Sequence, residues 1–548
     1  MSDVSPPAQA PGLAVEVVPV PPGNRSALRS DVAGFLGRTR RGPLRVGAGA
    51  QPCRVRVQGQ RGFDTVFGRR MLKGAFTPYA VNGYFENDGK VAHVIRLGGP
   101  ASCTASALWD ISSQLVAADP ITDGFDGGFL WSRYNFHASS PGCWANGAQV
   151  TLTYSRQGVS GTPSVDVVTQ VAGESTETIR GILPSTFADQ INATSSMVRV
   201  VNVEGSRLVV NVEGSRLAVS EGLASLSATQ TLTLSGGLDD PPTMQNYLDA
   251  IQSMGDESEV ALVALPDLFN DFSGDDGVSI LAAAVALADQ KQDRLVLVDV
   301  PPGLSASKDV ITWVTRLGKQ CIQASASLNV DTPRSAAVYH PWLWVPDPLG
   351  TTPDESRLLL PPSGYVAGLI SRLDRQRGAH YTPANSPVLQ AFDVANGYRA
   401  SERAVLNDAG VDLIRCFPNQ GLIVWGGRTL GTEPGDLYVA HRRLLHRLVR
   451  AIRAVAEPLV FDVNGPVLWL TLVRAITTVL LQVYRAGGLA GATPDEAFLV
   501  QCDDQTNPPD AIDAGRLLCL VKVAPAVPME FILLRISLDA EGRLEVLQ

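Results

Sequence analysis

The sequence is poor in the patterns that carry chemistry. Its seven cysteines, at 53, 103, 143, 321, 416, 502 and 519, are scattered, with no pair at CxxC spacing and an odd count that fits no complete disulfide framework. A reducing compartment is the simpler expectation. The six histidines (93, 137, 340, 380, 441, 446) include no HExxH pair, and His441 and His446, five apart, do not share a helix face as metal ligands would. There is no GxSxG elbow. The nearest approach to a phosphate loop is Gly83–Gly89–Lys90, where the glycine spacing is too long and Val91 follows the lysine, so no amide cradle forms. DGFDGG (123–128) and DFSGDDG (271–277) begin like calcium loops, but position twelve is Tyr134 or Ala282 rather than a bidentate glutamate. Both are expected to be turns. The acid pairs Asp239–Asp240 and Asp503–Asp504 lie beside Gly, Pro or Asn, where caps and turns are the common role. No catalytic, cofactor or metal residue is assigned, and the chain is expected not to be an enzyme. A triad assembled from distant residues is the alternative.

Positive charge is also scarce. A formal charge of −9 argues against general nucleic-acid binding, which needs concentrated Lys and Arg. Long apolar runs are missing too: SILAAAVALA (279–288) is too short to span a bilayer, and Arg474 interrupts PVLWLTLVRAITTVLL. Both are expected as buried helices, without membrane insertion. The opening MSDVSPPAQAPG lacks a basic segment followed by an apolar core, so no secretory signal is expected. With 45% hydrophobic and 18% charged residues the balance is that of a folded protein, soluble and made inside a cell. A chain of 548 residues exceeds one core, and about three or four domain-sized units are expected.

What is present is an alternation of textures. LAVEVVPV (13–20) reads as a strand isolated between prolines, and such a strand must find a pairing partner. Residues 31–99 look α/β, with a helix through PYAVNGYFEN and the strand VAHVIRLGG. Residues 101–240 turn rich in Ser, Thr, Gly and Val, with strand-like runs AQVTLTY, SVDVVTQV, MVRVVNV and QTLTLS. After 245 the α/β texture returns: VALVALPD and RLVLVDVP as buried strands, VSILAAAVALADQ and KDVITWVTRLG as helices. The end, PMEFILLRISLDAEGRLEVLQ, reads as strand, turn and a second strand.

Along DLYVAHRRLLHRLVRAIRAV (436–455), Leu437, Leu444, Leu448 and Val455 fall within about 20° of one direction at 100° per residue. Arg442, Arg443, His446, Arg447, Arg450 and Arg453 fall on the other side. That side is either a solvated basic face or a docking surface for an acidic partner.

The last third supplies the most specific pattern. PPSGYVAGLISRLDRQRGAHYTPAN (361–385), LNDAGVDLIRCFPNQGLIVWGGRTL (406–430), YVAHRRL (438–444) and AFLVQCDDQTNPPDAIDAGRLLCLVKVAPAVPMEFILLRI (497–536) occur in that order. Together they resemble the C-terminal domain of contractile tail sheath proteins, the family of phage tails, R-type pyocins and extracellular contractile injection systems. PGLAVEVVP, FDTVFG, AVNGYFENDGKVAHVIRL, SPGCWANGAQVTLTY and LSGGLDD extend the likeness over most of the chain. It departs at FDVNGPVLW (461–469), where Asp462 and Val463 replace the usual Glu-Pro, and at Gly427, commonly alanine.

The resemblance implies an α/β (α+β) sheath core with an inserted β-rich domain and extended arms. The implied divisions are an N-terminal arm 1–28, core 29–100, an outer insertion 101–245, core 246–528 and a C-terminal arm strand 529–548. It implies that the arms, through Leu13, Val15, Val17, Val18 and Phe531, Leu533, Arg535, pair with sheets of neighbouring subunits, giving the lone strand its partner. Arg442, Arg443, Arg447, Arg450 and Arg453 become candidate contacts to an inner tube or neighbour. Implied partners are the chain itself as stacked hexameric rings, an inner tube protein, and baseplate and cap or terminator proteins. No cofactor, nucleic acid or membrane is implied. The implied function is contraction driving the tube through a target envelope, after cytoplasmic synthesis and assembly into a phage tail or tail-like particle. The alternative is a non-contracting baseplate or tail component of the same fold.

One local oddity is the doubled VNVEGSRL at 201–208 and 210–217. Two copies are too few for a solenoid. An odd period would also turn equivalent valines to opposite faces of one strand, so two short strands bent at each Glu-Gly-Ser are expected.

Overall fold

A computed structural model describes residues 29–44, 51–69, 71–110, 133–157, 164–183, 186–202, 225–326, 333–350, 356–433, 435–459, 462–513, 517–526, 535–538 and 544–547. The isolated strand at 13–20, DGFDGG and nearly all of the doubled VNVEGSRL lie outside the described residues.

The apolar runs of the first and last thirds are strands of one sheet. VAHVIR (Val91–Arg96) and LVLVD (Leu295–Asp299) are buried at every position, as parallel strands covered on both faces must be. The sheet has nine strands, in the order Ser386–Pro387, Gly421–Trp425, Val411–Phe417, Ala336–His340, Leu295–Asp299, Leu262–Ala264, Ala33–Gly37, Val91–Arg96 and Arg54–Gln58. From Val411–Phe417 to Val91–Arg96 the neighbours run parallel, and antiparallel pairing is confined to the two sides.

Side chains alternate across these strands and so feed two cores. Leu36, Val263, Val296 and Val298 join the helices Met244–Gly255, Gly274–Lys291 and Ser307–Ala324 on one face. Phe35, Leu262, Leu295 and Leu297 join Gly59–Phe67, Thr77–Glu86 and Ser363–Arg377 on the other. Two glycines set the distance between the last two helices. A Cβ on Gly364 would strike the backbone of Ala80, and one on Gly368 the backbone of Tyr84. The spacing in SGYVAGL therefore allows backbone-to-backbone approach that any side chain would prevent.

The Ser/Thr/Val-rich middle forms two antiparallel sheets between the core strands 91–96 and 262–264. Ser225–Thr233, Gln149–Gln157, Ser164–Gln170 and Glu177–Ile182 make one; Ser106–Asp110, Arg133–Ala138 and Val198–Asn202 make the other. Both contribute to one apolar cluster around Phe136, Val150, Leu152, Val167 and Phe187. The exposed side of the larger sheet carries cross-strand threonine pairs, Thr151 with Thr231 at 3.2 Å and Thr153 with Thr229 at 3.4 Å. Arg96 fastens this unit to the core, donating to the carbonyls of Gly42 (3.0 Å) and Pro141 (2.8 Å) and to Asp239 (3.3 Å). Asp240 likewise accepts from the Ala101 backbone N–H at 2.8 Å, so this acid pair serves the junction.

The final unit packs the helices Val439–Ala456 and Pro466–Arg485 around Leu444, Leu448, Leu472, Ile476 and Leu480. The antiparallel pair Phe498–Gln501 and Leu520–Val523 lies against the same cluster. Beyond it, Arg535–Leu538 pairs antiparallel with Leu544–Leu547, the described parts of the two expected strands.

One expectation fails here. The helix Pro466–Arg485 is not buried all round. Among the described residues it is the one helix long and apolar enough to cross a bilayer by length and composition, and only 28% of its apolar window is buried. Trp469, Leu472, Ile476, Leu480 and Val483 form its inner stripe, while Val467 is 82% and Leu470 50% exposed. DFSGDDG also differs from a simple turn, because Asp275 and Asp276 lie in the first turn of Gly274–Lys291, where carboxylates complement the helix dipole.

Candidate functional sites

An open parallel sheet offers a ligand crevice where strand order reverses, outside the carboxyl ends of the strands. Here that point lies between Ala33–Gly37 and Leu262–Ala264, because the chain proceeds to 91–96 on one side and to 295–299 on the other. The crevice is filled by Asp267. Its carboxylate accepts from the Arg38 N–H (2.8 Å), the Thr77 hydroxyl (2.6 Å), and the Phe76 and Thr77 N–H groups. Phe76 and Thr77 open the helix Thr77–Glu86, so Asp267 holds the helix N-terminal position at which a bound anion would sit. Gly37 leaves no room beside it: an added Cβ would run into Thr77 and Asp267. Burial raises the Asp267 carboxyl above the usual range, with Thr77 and the backbone donors opposing. Asp271 beside it is pushed up to about 6 by burial and by Asp267, and is held by Tyr247 (2.8 Å) and Arg38 (3.0 Å). Among the described residues no group of three or more His, Cys, Asp and Glu gathers to hold a metal.

The arginine-rich helix overturns the basic-face reading. Its apolar side meets Pro466–Arg485, but its basic side is turned inward against the nine-stranded core. Arg442, Arg443 and Arg450 are 4%, 3% and 4% exposed. Arg442 pairs with Asp436 at 2.8 Å, and Arg443 bridges Asp374 (2.6 Å) and the Ser30 carbonyl (3.0 Å). Arg450 lies between Asp293 and Asp374 electrostatically, yet among the described residues its three guanidinium nitrogens have no hydrogen-bond partner, and burial lowers it to about 10. His446, buried and surrounded by Arg442, Arg450 and Arg443, is driven well below the ordinary histidine range and is neutral. Of the five arginines, Arg447 is half-buried and Arg453 is exposed, the latter pairing with Asp293 at 2.9 Å. The periodicity marks two faces correctly, but the second packs on protein rather than water. A run of aspartates at 289, 293, 374 and 436, far apart in sequence, is what receives it.

The final unit carries the exposed features. Val463 (89%), Val467 and Leu470 form an apolar end on the helix Pro466–Arg485, beside Asn464, which accepts from the Trp469 indole at 2.8 Å. Leu499 and Leu520 are exposed on the outer face of the two-stranded sheet, and among the described residues neither strand has a second neighbour. Sequence reasoning missed this apolar end, because it treated the whole 466–481 run as interior. The departure at Gly427 finds a local cause: a Cβ there would collide with the Thr382 hydroxyl. Of the expected arm residues, Leu13, Val15, Val17, Val18, Phe531 and Leu533 lie outside the described residues, and Arg535 begins the terminal hairpin.

Residues 240–430, which contribute most of the nine-stranded core, match the family model of the phage tail sheath protein central domain. That segment is similar to a tail sheath central domain. The tail sheath protein of Vibrio phage KVP40 is 26% identical over 267 residues, 46% of this chain and 38% of that protein. The chain thus spans about two fifths of the curated relative it matches. The sheath fold extends beyond the matched segment. The contracted helical sheath of the anti-feeding prophage superimposes with a TM-score of 0.52 at 19% identity, covering 97% of this chain and 100% of that one. A chain of the contracted anti-feeding prophage baseplate gives 0.57 at 17% identity, covering 97% and 99%.

Proposed function

We propose that this chain is the structural subunit of a contractile sheath. It polymerises as stacked hexameric rings around an inner tube, and the contraction of the rings drives the tube through a target envelope. The observation that carries the reading is the sheath central domain at 240–430, set in a sheath fold that continues through almost the whole chain. The proposed division is an N-terminal arm at 1–28, core at 29–100 and 246–528, an outer insertion at 101–245 and a C-terminal arm at 529–548.

The physical chemistry supports mechanical rather than catalytic work. The crevice in which an α/β sheet would take a ligand is occupied by Asp267 and Thr77, so no reaction is assigned to the fold. The two-stranded sheet 498–501/520–523 and the exposed Val463, Val467 and Leu470 are features that gain by association. Arms 1–28 and 529–548 add strands to neighbouring subunits, tethering them while rigid cores slide. A head-to-tail contact repeated along a helix builds an open tube. Baseplate, tube and terminator proteins are the remaining partners, in a particle assembled after cytoplasmic synthesis.

A second reading, a non-contracting baseplate component, is favoured by the equally good superposition on a baseplate chain. Electron microscopy of the overproduced protein separates them. The sheath reading expects long tubes of constant width; a species that stays monomeric, or closes into single rings under every assembly condition, would contradict it.

A further inference from the structure

Two of the scattered cysteines meet. In the antiparallel pair at the end of the core, Phe498 faces Val523, Leu499 faces Lys522, Val500 faces Val521 and Gln501 faces Leu520. The next step in that register sets Cys502 opposite Cys519. Directly opposed residues in an antiparallel ladder point to the same face, with Cα separations of about 4.5–5.5 Å, inside the range a disulfide spans. The two thiols lie close enough to influence each other's ionisation.

The approach is fixed by a buried side chain. Asn507, 1% exposed, donates to the Leu518 carbonyl (3.0 Å) and accepts from the Leu518 N–H (2.7 Å), while its amide also reaches the Cys502 sulfur at 3.7 Å. Asp503 holds the turn between them by accepting from the Gln505 and Thr506 N–H groups, each at 3.0 Å. Both cysteines are half-buried, reachable by a small reagent yet already aligned.

We propose that Cys502 and Cys519 are a redox-sensitive pair that closes to a disulfide when the chain meets a small-molecule disulfide such as oxidised glutathione. The thiolate of Cys502 attacks one sulfur of the reagent and expels a thiolate, leaving a mixed disulfide. The thiolate of Cys519 then attacks the Cys502 sulfur and expels the second. Two protein thiols are oxidised, one reagent disulfide is reduced to two thiols, and these take up the two protons. Burial raises both cysteine thiols, Cys519 to about 11, which slows the exchange at neutral pH and keeps the pair reduced during synthesis in a reducing compartment. The bond closes the segment from 502 to 519 and fastens Leu520–Val523, the last core strand before the C-terminal hairpin. This inference rests on the geometry around these two strands and does not depend on the sheath reading.

The test is peptide mapping of the native full-length protein after exposure to oxidised glutathione, with thiols blocked before digestion. The expected product is a cross-linked peptide containing Cys502 and Cys519 and no glutathione, whereas the exposed Cys103, Cys143 and Cys416 carry glutathione or remain free. In Cys519→Ser the cross-link is lost and Cys502 retains a stable glutathione adduct. Hydrogen exchange reads the consequence independently of that variant's folding: amides of 520–523 in the wild type slow on oxidation and recover on reduction. Wild-type Cys502 and Cys519 found free, or each carrying glutathione with no cross-linked peptide, would overturn the proposal.

Discussion

Arg443 and Arg453 sit on one helix and differ in what surrounds them. Arg443 is buried between Asp374 and the Ser30 carbonyl, so Arg443→Ala leaves a buried carboxylate without its cation. The expected loss is about 3–5 kcal/mol, read by denaturant titration. Arg453, with a side chain 53% exposed, shares Asp293 with Arg294, and Arg453→Ala should cost no more than about 1 kcal/mol. Asp299 gives a pH signature. Its carboxyl is buried and raised from 3.8 to about 7, although Ser363 opposes that shift. The unfolded chain ionises first, so the penalty on the fold is absent below about pH 4, grows as pH rises to about 7, and is constant above. Asp299→Asn retains an acceptor for the Ser363 N–H, which lies 2.9 Å from Oδ1. Its thermal midpoint should therefore gain on the wild type between pH 4 and 7 and run parallel above; a constant offset across that range would refute the assignment.

At the scale of elements, the contact between Thr77–Glu86 and Ser363–Arg377 depends on Gly364 and Gly368. Gly368→Leu must separate two helices whose backbones touch, and the expected loss is about 3 kcal/mol or more, visible as a lowered unfolding midpoint. The alternating and continuous apolar runs made most strands legible: LVLVD and SVDVVTQ are strands within a residue or two of their expected ends, and VAHVIR ends three residues before the expected Gly99. What periodicity could not supply was the surroundings of a face. The arginine side of Val439–Ala456 and the apolar back of Pro466–Arg485 invert the usual rule. The first is covered by aspartates from helices and loops elsewhere in the chain, and the second is left open. The Cys502–Cys519 contact was hidden for the same reason, since strand register brings together positions far apart in the chain. Val467→Glu adds a charge at a site 82% exposed. The folded chain should keep its thermal midpoint within about 0.5 kcal/mol of stability, while assembly measured by light scattering should fall if this apolar end is an intersubunit contact.

At the scale of the molecule, polar contacts tie the α/β core to the inserted β unit and to the final helical unit. Arg96 joins the first two, and Arg443 joins the core to the last. Such a body can move as a unit, which sheath contraction requires of its subunits. In the proposed sheath, the energy of the stroke is held in contacts between subunits. The doubled VNVEGSRL falls within the insertion proposed at 101–245, and removing 202–210 should leave tubes of the proposed sheath unchanged in width by negative-stain microscopy. The arms proposed at 1–28 and 529–548 are different in kind, because the proposed sheath needs them to add strands to neighbouring subunits.

The central claim is tested most directly by electron microscopy of the full chain beside two truncations, one lacking 1–22 and one lacking 529–548. The arm-exchange sheath predicts tubes from the full chain and, from each truncation, folded subunits with an unchanged unfolding midpoint that form none. Tubes of normal width and length from either truncation would contradict it.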